Sequence, residues 1–305
     1  MAVFDGQGTQ WDGMGEDVYR RFAAAREVFR LASEATGVDM SRACFGDNTH
    51  HLQDTRIAQP AIATVGLAKY RAWLESNPEP AVVTGLSMGL YPAVGVSAIR
   101  GAGGERNSFE VDHEIVGMVA ERAKIMHAVA HDKNGRMMPV IGPHRDELEV
   151  AIKGTGATIG VFLDKTVHTL TGQEYAVETA AGKLAQIKAK LSAYLPIQQA
   201  AHHELQTETI EPMTVLLESA GIGDPAIRIA ANGSFYLDSR QAIINHLLQQ
   251  MIESADWQAA EEMLVVQGIK NVIQFGADEK RSLARQMIKN GKDVGVHSIV
   301  FPEAA

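Results

Sequence analysis

A serine at the centre of a Gly-x-Ser-x-Gly motif is the residue of this sequence best suited to covalent chemistry. Ser87 lies between Gly85 and Gly89, after the apolar residues 81–83 and before a second apolar stretch. This order predicts a buried strand, a sharp turn with the serine at its tip, and a helix. Such a turn places the hydroxyl at a helix N-terminus, where free N–H groups stabilise a developing negative charge. The pattern predicts a nucleophile elbow; the alternative is an ordinary strand–helix turn that contains a serine.

The N-terminus offers a backbone feature that suits the same chemistry. The apolar segment Ala2–Phe4 predicts a short buried strand, and Asp5–Gln10 predicts a glycine-rich loop after it. Gly6 and Gly8 flank Gln7, so the backbone there can approach a neighbouring group closely. A simple turn is the alternative explanation of this loop.

Composition and charge exclude several classes of protein. The 305 residues, 46% hydrophobic and 21% charged, suit one large domain or a large domain with a smaller insert. A net charge of −9 argues against a nucleic-acid partner. The single cysteine, Cys44, excludes an intrachain disulfide and a cysteine zinc cluster. We find no apolar run long enough to span a bilayer and no signal-peptide pattern, so we predict a cytoplasmic protein without a membrane partner.

Strands that alternate with helices predict an α/β fold with a parallel sheet covered on both faces. Residues 136–198 follow a different order, βαββαβ, which is typical of a ferredoxin-like unit. We predict that they form a small subdomain inserted into a large α/β subdomain made of residues 1–135 and 199–305. The last strand of the small unit is predicted at Ala193–Ile197.

Hydrophobic periodicity predicts several other elements. Helices are expected over Gly15–Thr36, His202–Ala220 and Asp278–Asn290, where apolar residues recur every three to four positions. Asn271–Phe275 predicts a buried strand. Arg100–Glu110, rich in glycine and charge, predicts an exposed loop.

Four separated stretches match one enzyme family in the correct order. They are Phe4–Gln10 with Gly13–Gly15, Gly85–Gly89, Glu121–Met126 and Ala200–His203. Together they resemble the opening segment, nucleophile motif, arginine helix and histidine segment of malonyl-CoA:acyl-carrier-protein transacylases. The resemblance extends over nearly the whole chain and implies an α/β-hydrolase-like large subdomain with an inserted ferredoxin-like small one. The layout predicted from the residues is compatible with that fold.

The resemblance implies a seryl-ester mechanism with ping-pong kinetics. Ser87 is the implied nucleophile, and because a serine hydroxyl is a poor nucleophile at neutral pH, it needs a base. His202 is the implied base, with His203 as its competitor. The alternative for either histidine is a surface or helix-capping role.

The resemblance also implies how the acyl group is held. The backbone N–H groups of Gln7 and Met88 would bind the oxyanion of the tetrahedral intermediate. Arg122 would bind the free carboxylate of the malonyl group, because a planar guanidinium suits a buried carboxylate. The alternative is an exposed helix arginine that pairs with Asp112 or Glu121.

Several positions depart from the family pattern. Leu86 and Leu90 replace a histidine and a glutamate, and with Gln59 we predict them as parts of the substrate pocket. Asp5 replaces a proline in the first loop, and residues 163–165 stand near the place of an Asn-Ser-Pro stretch. These departures bear on substrate selectivity more than on the class of reaction.

The implied activity is transfer of a malonyl group from coenzyme A to the phosphopantetheine thiol of acyl carrier protein, in fatty acid biosynthesis. The substrate is a coenzyme A thioester, with no tightly bound cofactor and no metal. Acyl carrier proteins are acidic, so docking needs a local basic patch. Candidates on two predicted helices are Lys183, Lys188, Lys190, Lys280, Arg281, Arg285 and Lys289. The alternative for these side chains is an ordinary solvated helix face.

Other functions remain compatible with the same motifs. The same chemistry is compatible with a free-standing polyketide-synthase acyltransferase or with the transacylase subunit of malonate decarboxylase. A hydrolase that clears acyl groups from carrier proteins predicts no contact between Arg122 and the substrate. A silent relative that only binds carrier protein predicts that Ser87 and His202 lie too far apart to interact.

Overall fold

A computed structural model describes residues 1–46, 49–99, 108–130, 133–195, 197–276, 283, 287 and 295–298. The helices are α1 (Glu16–Arg21), α2 (Ala23–Thr36), α3 (Met40–Phe45), α4 (Thr55–Leu74), α5 (Leu90–Ala98), α6 (Phe109–Ala130), α7 (Arg145–Ile152), α8 (Glu174–Gln186), α9 (Ile210–Ser219), α10 (Arg240–Ile252) and α11 (Trp257–Val266). The strands are β1 (Ala2–Phe4), β2 (Val82–Gly85), β3 (Gly135–Ile141), β4 (Thr158–Phe162), β5 (Val167–Gln173), β6 (Lys190–Leu191), β7 (Arg228–Ala230), β8 (Tyr236–Leu237), β9 (Ala255–Asp256), β10 (Asn271–Phe275) and β11 (Gly295–Ser298).

The larger sheet has the strand order β11-β10-β1-β2-β7-β8. Its neighbours run parallel except β8, which is antiparallel to β7. This confirms the predicted α/β fold with a parallel sheet, because parallel strands need helical crossovers that cover the faces. Phe4, the last residue of β1, lies opposite Gly85, the last residue of β2. The loops that follow these two strands therefore leave the sheet side by side, and both bear on the site.

The smaller sheet has the order β6-β3-β5-β4-β9 and contains the predicted βαββαβ unit. Strands β6, β3, β5 and β4 run antiparallel to one another along the sheet, and residues of β3, β4 and β5 pack with α7 and α8 around a separate apolar core. Strand β9 comes from outside residues 136–198 and pairs parallel to β4. The ferredoxin-like order is confirmed, and the boundaries at 136 and 198 stay a prediction.

Three predicted elements differ from the structure. The helix predicted over Gly15–Thr36 is two helices, since Phe22 adopts an extended backbone between them and packs against the main core. The strand predicted at Ala193–Ile197 is wrong: the last strand is β6, after which Ser192 and Leu195 each donate a backbone N–H to a carbonyl of β3 without forming a further strand. No helix begins at His202, because that residue has a φ of 59°; a 3₁₀ turn at Glu204–Thr209 precedes α9.

Some predictions fall outside the described residues. Residues 100–107 of the predicted loop Arg100–Glu110 lie outside the described residues. Its last two residues belong to α6, which begins at Phe109. Of the predicted helix Asp278–Asn290 only Leu283 and Met287 are described, and both are buried. The basic residues predicted on that helix lie outside as well. Within the part of the chain that the structure describes, no helix is both long and apolar enough to cross a membrane.

Candidate active site

The turn at Ser87 has the geometry of a nucleophile elbow. Strand β2 ends at Gly85, Ser87 has a φ of 55°, and a 3₁₀ turn leads into α5 at Leu90. A Cβ on Gly85 would overlap the Gly89 carbonyl, and a Cβ on Gly89 would overlap the Phe4 carbonyl. Both glycines are therefore required by close backbone approach. The left-handed conformation of a serine costs about 1–3 kcal/mol and persists only where its surroundings hold it.

Asn232 stabilises the left-handed conformation of Ser87. No pattern in the sequence predicted this role. Asn232 Oδ1 accepts the Ser87 N–H at 2.9 Å, and its Nδ2 donates to the Gly85 carbonyl at 2.7 Å. Its own N–H donates to Nε2 of His246 at 3.2 Å. The buried side-chain amide of Asn232 thus holds both sides of the elbow, and the His246 imidazole holds the backbone of Asn232 itself. The only signal in the sequence was an Asn-Gly pair after β7, which reads as a turn.

His202 lies within hydrogen-bond distance of the serine. Its Nε2 is 2.9 Å from Ser87 Oγ, and its Nδ1 is 2.5 Å from the backbone oxygen of Gln250 in α10. A carbonyl oxygen only accepts, so Nδ1 carries the proton and Nε2 is left to accept from the serine hydroxyl. A backbone carbonyl takes the orienting role that a carboxylate plays in the Ser-His-Asp triad.

His203, the competing histidine, has a different role. Its Nδ1 accepts the Leu205 N–H at 3.1 Å and so caps the 3₁₀ turn that follows. The capping role considered for either histidine belongs to His203. The chain turns between the two residues because His202 takes a left-handed conformation.

Burial makes His202 a weak base that is neutral at physiological pH. Loss of hydration, together with the smaller effect of the nearby Arg122 cation, lowers its pKa from 6.5 to about 4. A neutral imidazole is the form that accepts a proton. The hydrogen bond from Nδ1 to the Gln250 carbonyl opposes the shift without cancelling it.

Arg122 is a buried cation on α6, with 2% of its surface exposed. Its Nη1 donates to Oε1 of Gln59, and its guanidinium carbon lies 5.2 Å from the centroid of the Tyr91 ring. Burial lowers its pKa. A buried charge without a counter-ion is costly, so this arrangement suits an anionic ligand.

Both acidic residues considered as alternative partners of Arg122 are paired elsewhere. Asp112 binds Arg71 with a distance of 2.6 Å between Oδ2 and Nε, and Glu121 binds Lys124 at 2.6 Å. Among the described residues, no carboxylate pairs with Arg122. Its guanidinium is therefore available to a ligand carboxylate.

A cavity of about 210 Å³ brings most of the predicted site residues together. Ser87, His202, Arg122, Gln7 and Met88 all line it. Leu86 lines it as well. The rest of the wall is mostly aliphatic and includes Met126, Met137, Val161, Leu163, Leu195, Ile197 and Leu283.

Two predicted pocket residues do not line this cavity. Leu90 is wholly buried in the main core, because α5 begins there and its first turn packs inward. Gln59 is buried and contacts Arg122 instead. Gln59 would therefore act on a ligand through Arg122 rather than by direct contact.

The first loop lies directly against the elbow. A Cβ on Gly6 would come within 2.6 Å of the Leu86 carbonyl oxygen, so only glycine allows this approach. The loop residue Gln7 and the elbow residue Met88 consequently face one cavity. Their roles as oxyanion donors through the backbone stay a prediction.

Two residues at and directly after the end of β10 accommodate the side chain of Asp5. Its buried carboxylate accepts a hydrogen bond from Nε2 of Gln274. A Cβ on Gly276 would overlap the Asp5 carboxylate. The departure at Asp5 is thus accommodated locally, at the base of the loop rather than in the cavity.

The two buried histidines make an acid-dependent stability prediction. His202 and His246 have pKa values lowered by burial from 6.5 to about 4. The unfolded chain binds these protons more tightly, so the stability gained from the neutral rings is present above pH 6.5 and lost as the pH falls toward 4. We expect the free energy of unfolding to fall by about 1.4 kcal/mol per pH unit for each histidine in that interval.

Urea unfolding at pH 7, 6 and 5, with NMR titration of the imidazole protons, measures this effect. His202→Gln is the control, since it should remove one histidine's share of the slope. Titration of both rings near 6.5 in the folded protein would contradict the prediction.

The chain is similar in sequence to a known family of acyl transferases. A family model described as acyl transferase domain matches residues 1–300. The malonyl CoA-acyl carrier protein transacylase of Haemophilus influenzae is 25% identical over 305 residues, covering 97% of this chain and 95% of that protein. That of Escherichia coli K12 is 25% identical over 281 residues, covering 90% and 87%.

Solved structures show the same fold. An acyl-carrier-protein S-malonyltransferase from Bartonella henselae superposes with a TM-score of 0.90 at 23% identity, covering 99% of this chain and 95% of that one. A malonyl-transacylase in complex with a type II PKS acyl-carrier protein superposes with a TM-score of 0.89 at 23% identity, covering 98% and 94%. At this level of identity the likeness establishes the fold.

Proposed function

The chain belongs to the acyl transferase domain family, and from this premise we propose that it transfers a malonyl group from coenzyme A to the phosphopantetheine thiol of an acyl carrier protein. The proposal places the reaction in the cytoplasm, in fatty acid biosynthesis. The observation that carries it is the 2.9 Å contact between Ser87 Oγ and His202 Nε2, in a cavity that also contains the buried Arg122.

The first half-reaction forms an ester on Ser87. Its Oγ attacks the thioester carbonyl while His202 Nε2 takes the hydroxyl proton. The oxyanion of the tetrahedral intermediate lies against the N–H groups of Gln7 and Met88. When the carbon–sulfur bond breaks, coenzyme A leaves as a thiol with the proton that His202 returns. Hydrogen bonding of Nδ1 to the Gln250 carbonyl keeps Nε2 directed at the serine throughout.

The second half-reaction is the reverse with a different thiol. The phosphopantetheine sulfur of the carrier protein attacks the seryl ester as His202 takes the thiol proton. The carbon–oxygen bond then breaks, and Ser87 regains its proton from His202. One base therefore serves both half-reactions. The seryl ester keeps the acyl group after coenzyme A has left and before the carrier protein reacts, which is the basis of ping-pong kinetics.

Arg122 accounts for selection of malonyl over acetyl groups. The malonyl carboxylate would pair with a guanidinium that no carboxylate of the described residues already occupies. Its neighbours Gln59 and Tyr91 hold the cation without neutralising it. An acetyl group would leave this buried charge uncompensated, which costs binding in the transition state.

The partner is an acyl carrier protein, as the names of the relatives state for those proteins. Lys188 and Lys190 follow α8 on the exposed surface of the small sheet, and Lys183 on α8 donates to the Lys153 carbonyl at 2.8 Å. These lysines form the candidate basic patch within the described residues, in a chain whose net charge is −9. Local positive charge of this kind would attract an acidic carrier protein.

Intact-protein mass spectrometry tests the proposal. After mixing with malonyl-CoA, the protein should gain one malonyl group, which peptide mapping should locate on Ser87. Added carrier protein should remove the group and appear as malonylated carrier. Labelling by acetyl-CoA should be weaker at equal concentration.

Other outcomes of this experiment would contradict the proposal. Absence of an adduct would argue for a silent relative, and rapid loss of the adduct to water without carrier protein would argue for a hydrolase.

A further inference from the structure

Four side chains form a continuous hydrogen-bonded path between the buried arginine and the first loop. Arg122 Nη1 donates to Gln59 Oε1, and Gln59 Nε2 donates to Thr55 Oγ1 at 2.8 Å. Thr55 Oγ1 donates to Gln7 Oε1 at 3.3 Å. Thr55 and Gln59 lie one turn apart at the start of α4, so both side chains project from the same face of that helix. The path leads from the cation to the loop that faces the elbow.

The arginine determines the direction of every bond in this path. A guanidinium only donates, so the oxygen of the Gln59 amide must face Arg122 and its NH₂ must face Thr55. The threonine hydroxyl then accepts from Gln59, which leaves its own proton for Gln7. Bonds that run in one sense from a charged donor polarise and strengthen one another. Removing the cation would leave Gln59 free to rotate and would remove the constraint on the Thr55 proton.

The loop end of the path has a second attachment to the same segment. Gln10 Nε2 donates to the Leu52 carbonyl at 3.3 Å, and Gln10 Oε1 accepts the Gly8 N–H at 2.8 Å. The loop around Gln7 therefore rests on residues 52–55 through its side chains. Gly8 adopts a φ of 107°, a conformation that favours glycine.

We propose that Thr55 is a positioning residue that couples the carboxylate-binding Arg122 to the oxyanion loop at Gln7. This inference rests on the proposed function for the roles of Arg122 and Gln7. Thr55 contacts neither the serine nor the histidine, and it acts through Gln59 and Gln7. Occupation of Arg122 and alignment of the loop then become parts of one hydrogen-bonded unit.

Thr55→Val tests the proposal because it keeps the shape of the side chain and removes the hydroxyl. We expect the single-turnover rate of Ser87 acylation by malonyl-CoA to fall about tenfold, as for loss of one hydrogen bond that orients a reacting group. Thr55→Ser keeps the hydroxyl and should stay within about twofold of the wild type. Thermal unfolding of each variant shows whether a change in rate reflects a loss of folded protein.

A double-mutant cycle with Arg122→Met isolates the coupling. Met removes the donors and retains much of the side-chain volume. With the cation absent, the path is already broken, so Thr55→Val should lower the remaining rate by less than about twofold. If Arg122→Met does not fold, Gln59→Met takes the place of Arg122→Met in the cycle, because it breaks the same path at its centre.

The rate of Ser87 modification by a fluorophosphonate provides a readout that needs no malonyl group. It depends on the oxyanion site, so Thr55→Val should slow it about tenfold as well. Equal tenfold effects of Thr55→Val with and without Arg122 would overturn the coupling, as would wild-type rates in Thr55→Val. A wild-type protein that reacts with the fluorophosphonate but not with malonyl-CoA would instead refute the proposed function.

Discussion

Ser87→Ala is expected to lower acyl transfer by at least about 10⁴-fold and to abolish the acyl-enzyme adduct, because the proposed ester forms on the hydroxyl that this substitution removes. His202→Ala is expected to have an effect nearly as large. Its Nε2 is the only base that contacts the Ser87 hydroxyl among the described residues. The two side chains act as a unit, so a variant with both Ser87→Ala and His202→Ala should be at most a few-fold slower than Ser87→Ala alone.

His203→Asn is the matched control for the histidine. His203 is adjacent in sequence and almost equally buried, but its Nδ1 caps the next turn. Asparagine keeps an acceptor at the cap position. We therefore expect transfer rates within about threefold of the wild type.

Steady-state transfer from malonyl-CoA to a carrier protein measures these variants, with circular dichroism to confirm folding. A folded His202→Ala variant that retains a tenth or more of the wild-type rate would refute the assignment of the base. A loss of activity in His203→Asn equal to that in His202→Ala would make the histidine assignment untenable.

Arg122→Met is expected to lower kcat/KM for malonyl-CoA by about 10²- to 10³-fold and that for acetyl-CoA by no more than about tenfold, the loss expected from the broken path to Gln7. Removing one partner of a buried charge pair in the complex typically costs about 3–5 kcal/mol. The penalty applies only to the substrate with a carboxylate. For acetyl-CoA the variant removes an uncompensated buried cation, so the apolar cavity becomes more compatible with a neutral acyl group.

A second consequence of this substitution concerns His202. The Arg122 cation is one of the causes that lower the pKa of this imidazole. In Arg122→Met the pKa of His202 should therefore rise from about 4 toward its ordinary value. The acid limb of the acylation rate should move to higher pH, because the base then becomes protonated at higher pH.

Lys124→Met is the matched control, since Lys124 is a cation on the same helix that lies exposed and paired with Glu121. It should change neither substrate preference nor the acid limb. Arg122→Lys separates charge from shape: an ammonium cannot form a planar bidentate pair, so we expect an intermediate preference for malonyl-CoA. Equal loss with both substrates in Arg122→Met would show that the arginine supports the fold rather than selecting the acyl group.

Local sequence was sufficient for the elements whose signals are local. The glycines around Ser87 predicted the elbow because each is required within the turn or directly beside it. The βαββαβ order was visible because hydrophobic periodicity changes between strand and helix. The strand predicted at Ala193–Ile197 failed because Leu195 and Ile197 line the cavity, so their apolar character does not reflect a strand.

Asn232 shows most clearly what a sequence pattern leaves out. Its amide fixes the conformation of a serine 145 positions earlier in the chain. An asparagine before a glycine predicts a turn wherever it occurs, and nothing local distinguishes one that clamps a distant backbone. The same holds for Gln250, whose contribution is a carbonyl oxygen that every residue has.

By itself the sequence indicated the α/β class and the turn that contains the serine and, through its resemblance to a family, predicted Arg122 and one of two adjacent histidines as its partners. The tertiary structure decided which histidine meets the serine and that Asp112 and Glu121 are paired with other residues than Arg122. It also showed that Leu90 belongs to the core and that Thr55 lies between Gln59 and Gln7 in a hydrogen-bonded path. The physical reason is range: turn geometry and hydrophobic period act over a few residues, whereas pairing, burial and hydrogen-bond direction depend on groups brought together from distant parts of the chain.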